Sequence, residues 1–206
     1  MRKTLSLILT FLLLCSLLLT SYAAGEDPSV GPEERVVETE PLDPKIEAML
    51  TWALEIAADD SHGYSQSDRF GPNYDCTSFI STALMEGGFE LEDYLSTGGL
   101  IDVLPDYGFA VYRRGETEPQ RGDILVQRGV HAEICMGDGG CVAAHRDYDW
   151  RSGDWRTGHE IEYRTGDDDY GCPFCAERHY GYILRYITPD SPQCVLENEF
   201  RESRIR

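Results

Sequence analysis

Hydrophobic positions recur with a helical period in the first half of this chain and alternate in the second. From Pro44 to Asp59, the residues Ile46, Met49, Leu50, Ala53, Ile56 and Ala57 follow i, i+3, i+4, i+7 spacing, which predicts an amphipathic helix. A loop rich in glycine, asparagine and proline follows, from Ser61 to Tyr74. Asp75 is then a good N-cap for a second helix over Cys76–Met85, which Gly87 and Gly88 stop. Ser96–Pro105 reads as a short third helix. After it come Phe109–Arg113, Ile124–Gln127, Ala132–Met136, Cys141–His145 and Tyr182–Ile187, short β-rich runs bounded by glycine or acidic turns. Residues 137–140 join the third and fourth of these as a hairpin. Trp150–Gly171 is charged and glycine-rich and reads as a long surface loop. Helices first and an antiparallel meander afterwards give the α+β class, with helices packed on one face of a sheet.

The N-terminus adds an address. Arg2 and Lys3, the apolar run Leu5–Leu19 and the small residues around Ala23 and Ala24 make residues 1–24 a secretory signal peptide. The run is shorter than the ~20 residues a span needs, so cleavage is favoured over stable membrane insertion. Leu13 and Leu14, before Cys15, argue against lipid attachment there. Residues 25–43 are acidic and carry few large apolar side chains, which predicts a disordered linker. The domain is expected over 44–190, with a weakly patterned tail over 191–206. The secreted product is expected in the cell wall or periplasm, as a monomer.

Charge narrows the partners. The chain carries a formal charge of −19, and losing Arg2 and Lys3 with the signal makes it two units more negative. Binding to nucleic acid or an anionic bilayer needs a basic patch, so the charge argues against both as partners.

The candidate chemistry starts at Cys76. It opens its helix, where unsatisfied backbone N–H groups and the helix dipole favour a thiolate. Its own N–H and those beside it are expected to face a tetrahedral oxyanion. His131 begins a strand, and alternation sets His131, Glu133 and Cys135 on one face, with Cys141, Ala143 and His145 on the partner strand. If paired residues sum to 276, His131 lies opposite His145 and Cys135 opposite Cys141. One histidine can then orient the other's ring, as the third member of a triad does. Asp147, on the same face as His145, is a rival orienter. Tyr64 and Asp75 are candidates for lining the substrate cleft, with the loop Trp150–Gly171 over it.

Three strings carry a family resemblance. Tyr74-Asp75-Cys76-Thr77-Ser78-Phe79 resembles the D-C-[ST]-[SG]-[FL] signature of NlpC-type, papain-like cell-wall hydrolases. Arg121-Gly122-Asp123-Ile124-Leu125 resembles their strand entry, and His131-Ala132-Glu133-Ile134 with Gly137-Asp138-Gly139 their histidine hairpin. His62-Gly63-Tyr64-Ser65-Gln66, Arg69-Phe70-Gly71-Pro72, Ala144-His145 and the segment from Gly153 to Ile161 are closer to the amidases of bacteriophage lysins. The resemblance spans about residues 46 to 187 and implies a papain-like fold acting on peptidoglycan amide bonds. It assigns Cys76 as nucleophile, His131 as general base and His145 as the polar residue orienting it. In many relatives that third residue lies nearer the histidine, where this chain has Ala143. The chemistry implied needs no cofactor and no metal. Amidase action is favoured over endopeptidase action within the stem peptide.

The remaining cysteines leave alternatives open. An exported chain can form disulfides, and Cys135 with Cys141 is compatible with a cross-strand bond or with two small core residues. Cys172 and Cys175 are expected in a disulfide, with each other or with Cys194, rather than in a redox or zinc centre. Two rival functions stay in view: a non-catalytic wall-binding module, and a thiol oxidoreductase using Cys172 and Cys175.

Overall fold

Asp43 and Pro44 start the first helix. The Asp43 carboxylate accepts the Lys45 N–H at 2.9 Å, and proline at the first helical position needs no N–H partner. The computed structural model describes residues 41–146, 160–165 and 179–188. Its helices are α1 (Pro44–Ala57), α2 (Cys76–Glu86) and α3 (Thr97–Val103), the last running into a 3-10 turn at Leu104–Tyr107. Its strands are β1 (Phe109–Arg113), β2 (Ile124–Gln127), β3 (His131–Cys135), β4 (Cys141–Ala144), β5 (Ile161–Arg164) and β6 (Tyr182–Tyr186).

The fold is α+β. The six strands form one sheet in the order β1-β6-β2-β3-β4-β5, and every neighbouring pair is antiparallel. β2 to β5 make the expected meander. β1 does not join it directly, because the last strand, β6, inserts between β1 and β2. The expected surface loop over Trp150–Gly171 also needs correcting, since β5 lies inside it. Its run is charged, but Ile161 and Tyr163 alternate with Glu162 and Arg164 and pack into the core. Four alternating residues among charges are a weak signal; pairing with β4 makes the strand.

Two clusters fill the two sides of the sheet. The larger gathers Met49, Leu50 and Ala53 of α1, Phe79, Ile80 and Leu84 of α2, and Ile124, Val126, Ile134, Val142 and Leu184 of the sheet. The smaller comprises Leu125, Cys135, Cys141, Tyr180 and Ile183. Ala132 and Ile134 pack in the larger cluster, so alternation leaves His131 and Glu133 on the other side of β3. α1 and α2 approach closely: a Cβ on Gly87 would meet the Lys45 carbonyl oxygen at 2.6 Å.

The Arg121-Gly122-Asp123 string has a structural meaning. Gly122 has φ +88° and lies against Ile46, where an added Cβ would come within 2.4 Å of Cγ2. Asp123 is buried and binds Arg185 of β6 through two hydrogen bonds, 2.9 Å to Oδ1 and 2.7 Å to Oδ2. Asp123 thereby ties the entry of β2 to β6.

The β3–β4 register is the expected one, with Ile134 opposite Val142 and Cys135 opposite Cys141. These two cysteines are not bonded to each other. Cys135 is a free thiol, and Cys141 is in a disulfide whose partner lies outside the described residues. The expected signal peptide, most of the expected linker, Asp147, Cys172, Cys175, Cys194 and the expected tail also lie outside them. Among the described residues no helix is long and apolar enough to cross a membrane.

Candidate active site

The site begins with a cap. The Asp75 carboxylate accepts the N–H groups of Thr77 (3.0 Å) and Ser78 (2.7 Å), while the Ser78 hydroxyl accepts the Asp75 N–H at 2.9 Å. This capping box fixes the first turn of α2 and hence the position of Cys76. Arg69 donates to the same carboxylate at 2.6 Å. Burial works against the ionised form of Asp75, but the Ser78 N–H and Arg69 hold its carboxyl below the ordinary value. Asp75 is therefore occupied as the helix cap. Its hold on Thr77 and Ser78 also revises the expected oxyanion donors. Of the N–H groups opening the helix, that of Cys76 is the one left outside the cap.

The loop before α2 is stitched to itself around Asn73. The buried Asn73 side chain accepts the Gly63 N–H at 3.1 Å, Tyr74 N–H reaches the Gly63 carbonyl at 3.0 Å, and Ser65 N–H the Tyr74 carbonyl at 2.9 Å. Tyr64 is half-buried, and its N–H donates to the fully buried Glu160 at 2.8 Å. Glu160 also accepts the His145 N–H through its own carbonyl, at 2.6 Å. One residue therefore links the Tyr64 loop to the end of β4.

α2 packs on β3 and β4, which brings Cys76 to the start of β3. There the His131 side chain hydrogen-bonds the Cys76 thiol on one side and Glu133 on the other. Nε2 of His131 lies 3.1 Å from Oε1 of Glu133, so Nδ1 is the nitrogen turned to the sulfur. Burial alone would lower the His131 pKa, but the bonds to Cys76 and Glu133 outweigh it and raise it to about 9. Glu133 is buried as well, which favours its neutral form. Its two histidine partners reverse this and hold the carboxyl far below the ordinary value.

His145 takes a different place from the one its register suggests. Its ring centroid is 6.1 Å from that of His131, and Glu133 lies between them, with Oε1 3.3 Å from Nδ1 of His145. Nε2 of His145 lies 3.2 Å from the Glu162 carbonyl, which can only accept, so that nitrogen carries hydrogen. The order is thus Cys76, His131, Glu133, His145. A carboxylate, and not the second histidine, touches the His131 ring. Sequence reasoning set Glu133 on the right face but gave it no role. The available signal was its spacing: an acid two residues after a strand histidine shares its face.

A sequence comparison covers the same stretch of chain. A family model described as bacteriophage peptidoglycan hydrolase matches residues 45–147, half of the chain and every residue of the cluster just described. The chain belongs to the bacteriophage peptidoglycan hydrolase family. Among curated proteins none matches it. For this hydrolase the substrate is therefore the cell-wall polymer, and α1 through β4 are the part that carries the family pattern.

Proposed function

We propose that this peptidoglycan hydrolase is a papain-like cysteine enzyme of the NlpC type, cutting an amide bond with Cys76 as nucleophile and His131 as general base. The observation that carries the reading is the hydrogen bond between Cys76 at the start of α2 and His131, whose other nitrogen is held by Glu133. An imidazole clamped in this way keeps a proton ready for transfer. The thiolate attacks the carbonyl carbon of a wall amide, and the negative oxygen forms beside the Cys76 N–H. His131 gives its proton to the departing amine, and then activates the water that hydrolyses the thioester. Glu133 fixes the ring and supports its positive charge. His145 holds Glu133 from the far side. Tyr64 and the loop anchored on Glu160 border the cleft.

The bond between the muramoyl lactyl group and L-alanine is the proposed target, on the strength of the lysin-like strings around His62, Arg69 and His145. Export through the N-terminal signal would bring the enzyme to that substrate. The test is digestion of purified sacculi by the wild-type protein and a Cys76→Ala variant, with mass spectrometry of the released fragments. Free L-alanine amino termini, absent with the variant, are the expected result. New amino termini within the stem peptide would make it an endopeptidase. Equal release by both proteins would remove the thiol mechanism.

A further inference from the structure

The inner end of the site has an unused capacity. One ring nitrogen each of His131 and His145 and a carboxylate oxygen of Glu133 lie within 4.8 Å of one another. Two of the three separations, 3.1 Å and 3.3 Å, share the Glu133 oxygen. A tetrahedral zinc ion with bonds of about 2.1 Å sets its ligands about 3.4 Å apart. Small ring movements therefore suffice to bring the three atoms onto one ion.

A second observation points the same way. Nε2 of His145 donates to the backbone carbonyl of Glu162. A backbone acceptor behind a histidine is the usual support of a metal-bound imidazole, because it fixes the tautomer and aims the other nitrogen at the ion. Here that other nitrogen faces a carboxylate oxygen. A metal ion seated between the two groups would be bonded by both. The side chains of His145 and Glu133 are each only 5% exposed and that of His131 17%, so such an ion would sit almost out of water.

We propose that His131, Glu133 and His145 form a Zn2+ site and that its occupation switches the hydrolase off. The inference rests on the thiol mechanism above. Two imidazoles and a carboxylate suit zinc better than magnesium or calcium, which prefer oxygen. Occupation removes the base. With Nε2 bonded to the metal, the ring proton is confined to Nδ1, facing Cys76, and His131 cannot accept the thiol proton. Cys76 itself is not a ligand, because it lies on the other side of the His131 ring.

The experiment uses the full-length protein and zinc chloride in isothermal titration calorimetry, alongside release from sacculi. One equivalent should bind both wild type and Cys76→Ala, with affinity reduced at least about tenfold in His145→Ala and Glu133→Ala. Release should fall in step with occupancy and return when a chelator is added. Because the histidine and glutamate variants can lose structure, Co2+ is also added to the folded Cys76→Ala protein. Nitrogen- and oxygen-ligated d–d bands without a thiolate charge-transfer band support the site. Absence of binding, affinity unchanged in both variants, a thiolate band, or release that rises with zinc would each overturn the inference. Absent zinc binding leaves the Cys76 mechanism standing, whereas full activity in Cys76→Ala removes that mechanism whatever zinc does.

Discussion

Glu133 and His131 stand two residues apart on one strand, with Oε1 of the carboxylate 3.1 Å from Nε2 of the ring. The pair is local in sequence, yet it decides which ring nitrogen faces the sulfur. Glu133→Gln keeps the shape and removes the charge. Loss of a carboxylate behind a catalytic histidine removes both the tautomer and the support for the imidazolium. We expect kcat on sacculi to fall by about 100-fold or more, with KM little changed. The basic limb of the pH profile should move to lower pH, because the carboxylate helps hold the proton on His131. A glutamine variant with wild-type kcat and an unmoved profile would assign Glu133 to packing alone.

The raised pKa of His131 has a sign that can be tested on stability. Its folded value is about 9 against an ordinary 6.5, so the folded state holds the proton more tightly than the unfolded chain. That contribution is fully present below the unfolded value and is lost as pH rises through about 9. Urea midpoints should therefore drop between about pH 6 and about pH 10, and His131→Ala should flatten that slope. With His131 protonating the leaving amine, as proposed above, activity should show a basic limb near the same folded value.

The two free thiols among the described residues should react differently. Both are buried, but Cys76 opens α2 beside His131, whereas Cys135 packs in the smaller core and burial pushes its thiol up to about 11. Iodoacetamide at neutral pH should label Cys76 in the native protein and leave Cys135 untouched until denaturant is added. Peptide mapping reads this directly. Rapid native labelling of Cys135 would contradict the packing around Leu125 and Ile183.

Arg185 is the partner that makes the buried Asp123 tolerable. Arg185→Ala strands a carboxylate in the interior and should cost about 3–5 kcal/mol of stability, read as a shift in urea midpoint. Replacing both residues by apolar ones of similar volume should recover much of the loss.

Gly122 couples a left-handed backbone to a close approach. Gly122→Ala combines a φ of +88° with a Cβ set 2.4 Å from Ile46, and should destabilise by at least about 2 kcal/mol. Ile46→Ala in the same chain should relieve the clash in part, which a double-mutant cycle measures.

Much of this molecule was written locally. The 3.6-residue stripe from Ile46 to Ala57 made α1, and the Asp75 cap made α2 and put Cys76 at its first turn. Alternation around the glycine turn at 137–139 fixed the β3–β4 register and with it the face shared by His131 and Glu133. These features follow from neighbours in the chain, so periodicity and capping reveal them. The rest needed the folded chain. Only sheet pairing showed that β6 inserts beside β2 and that the charged run at Ile161 is a strand. Only the packing of α2 on β3 brought the sulfur to the imidazole, and only the side-chain geometry set Glu133 between two histidines. A hydrogen bond between groups distant in sequence depends on how elements dock, and docking is decided by the whole buried surface rather than by any one stretch of residues.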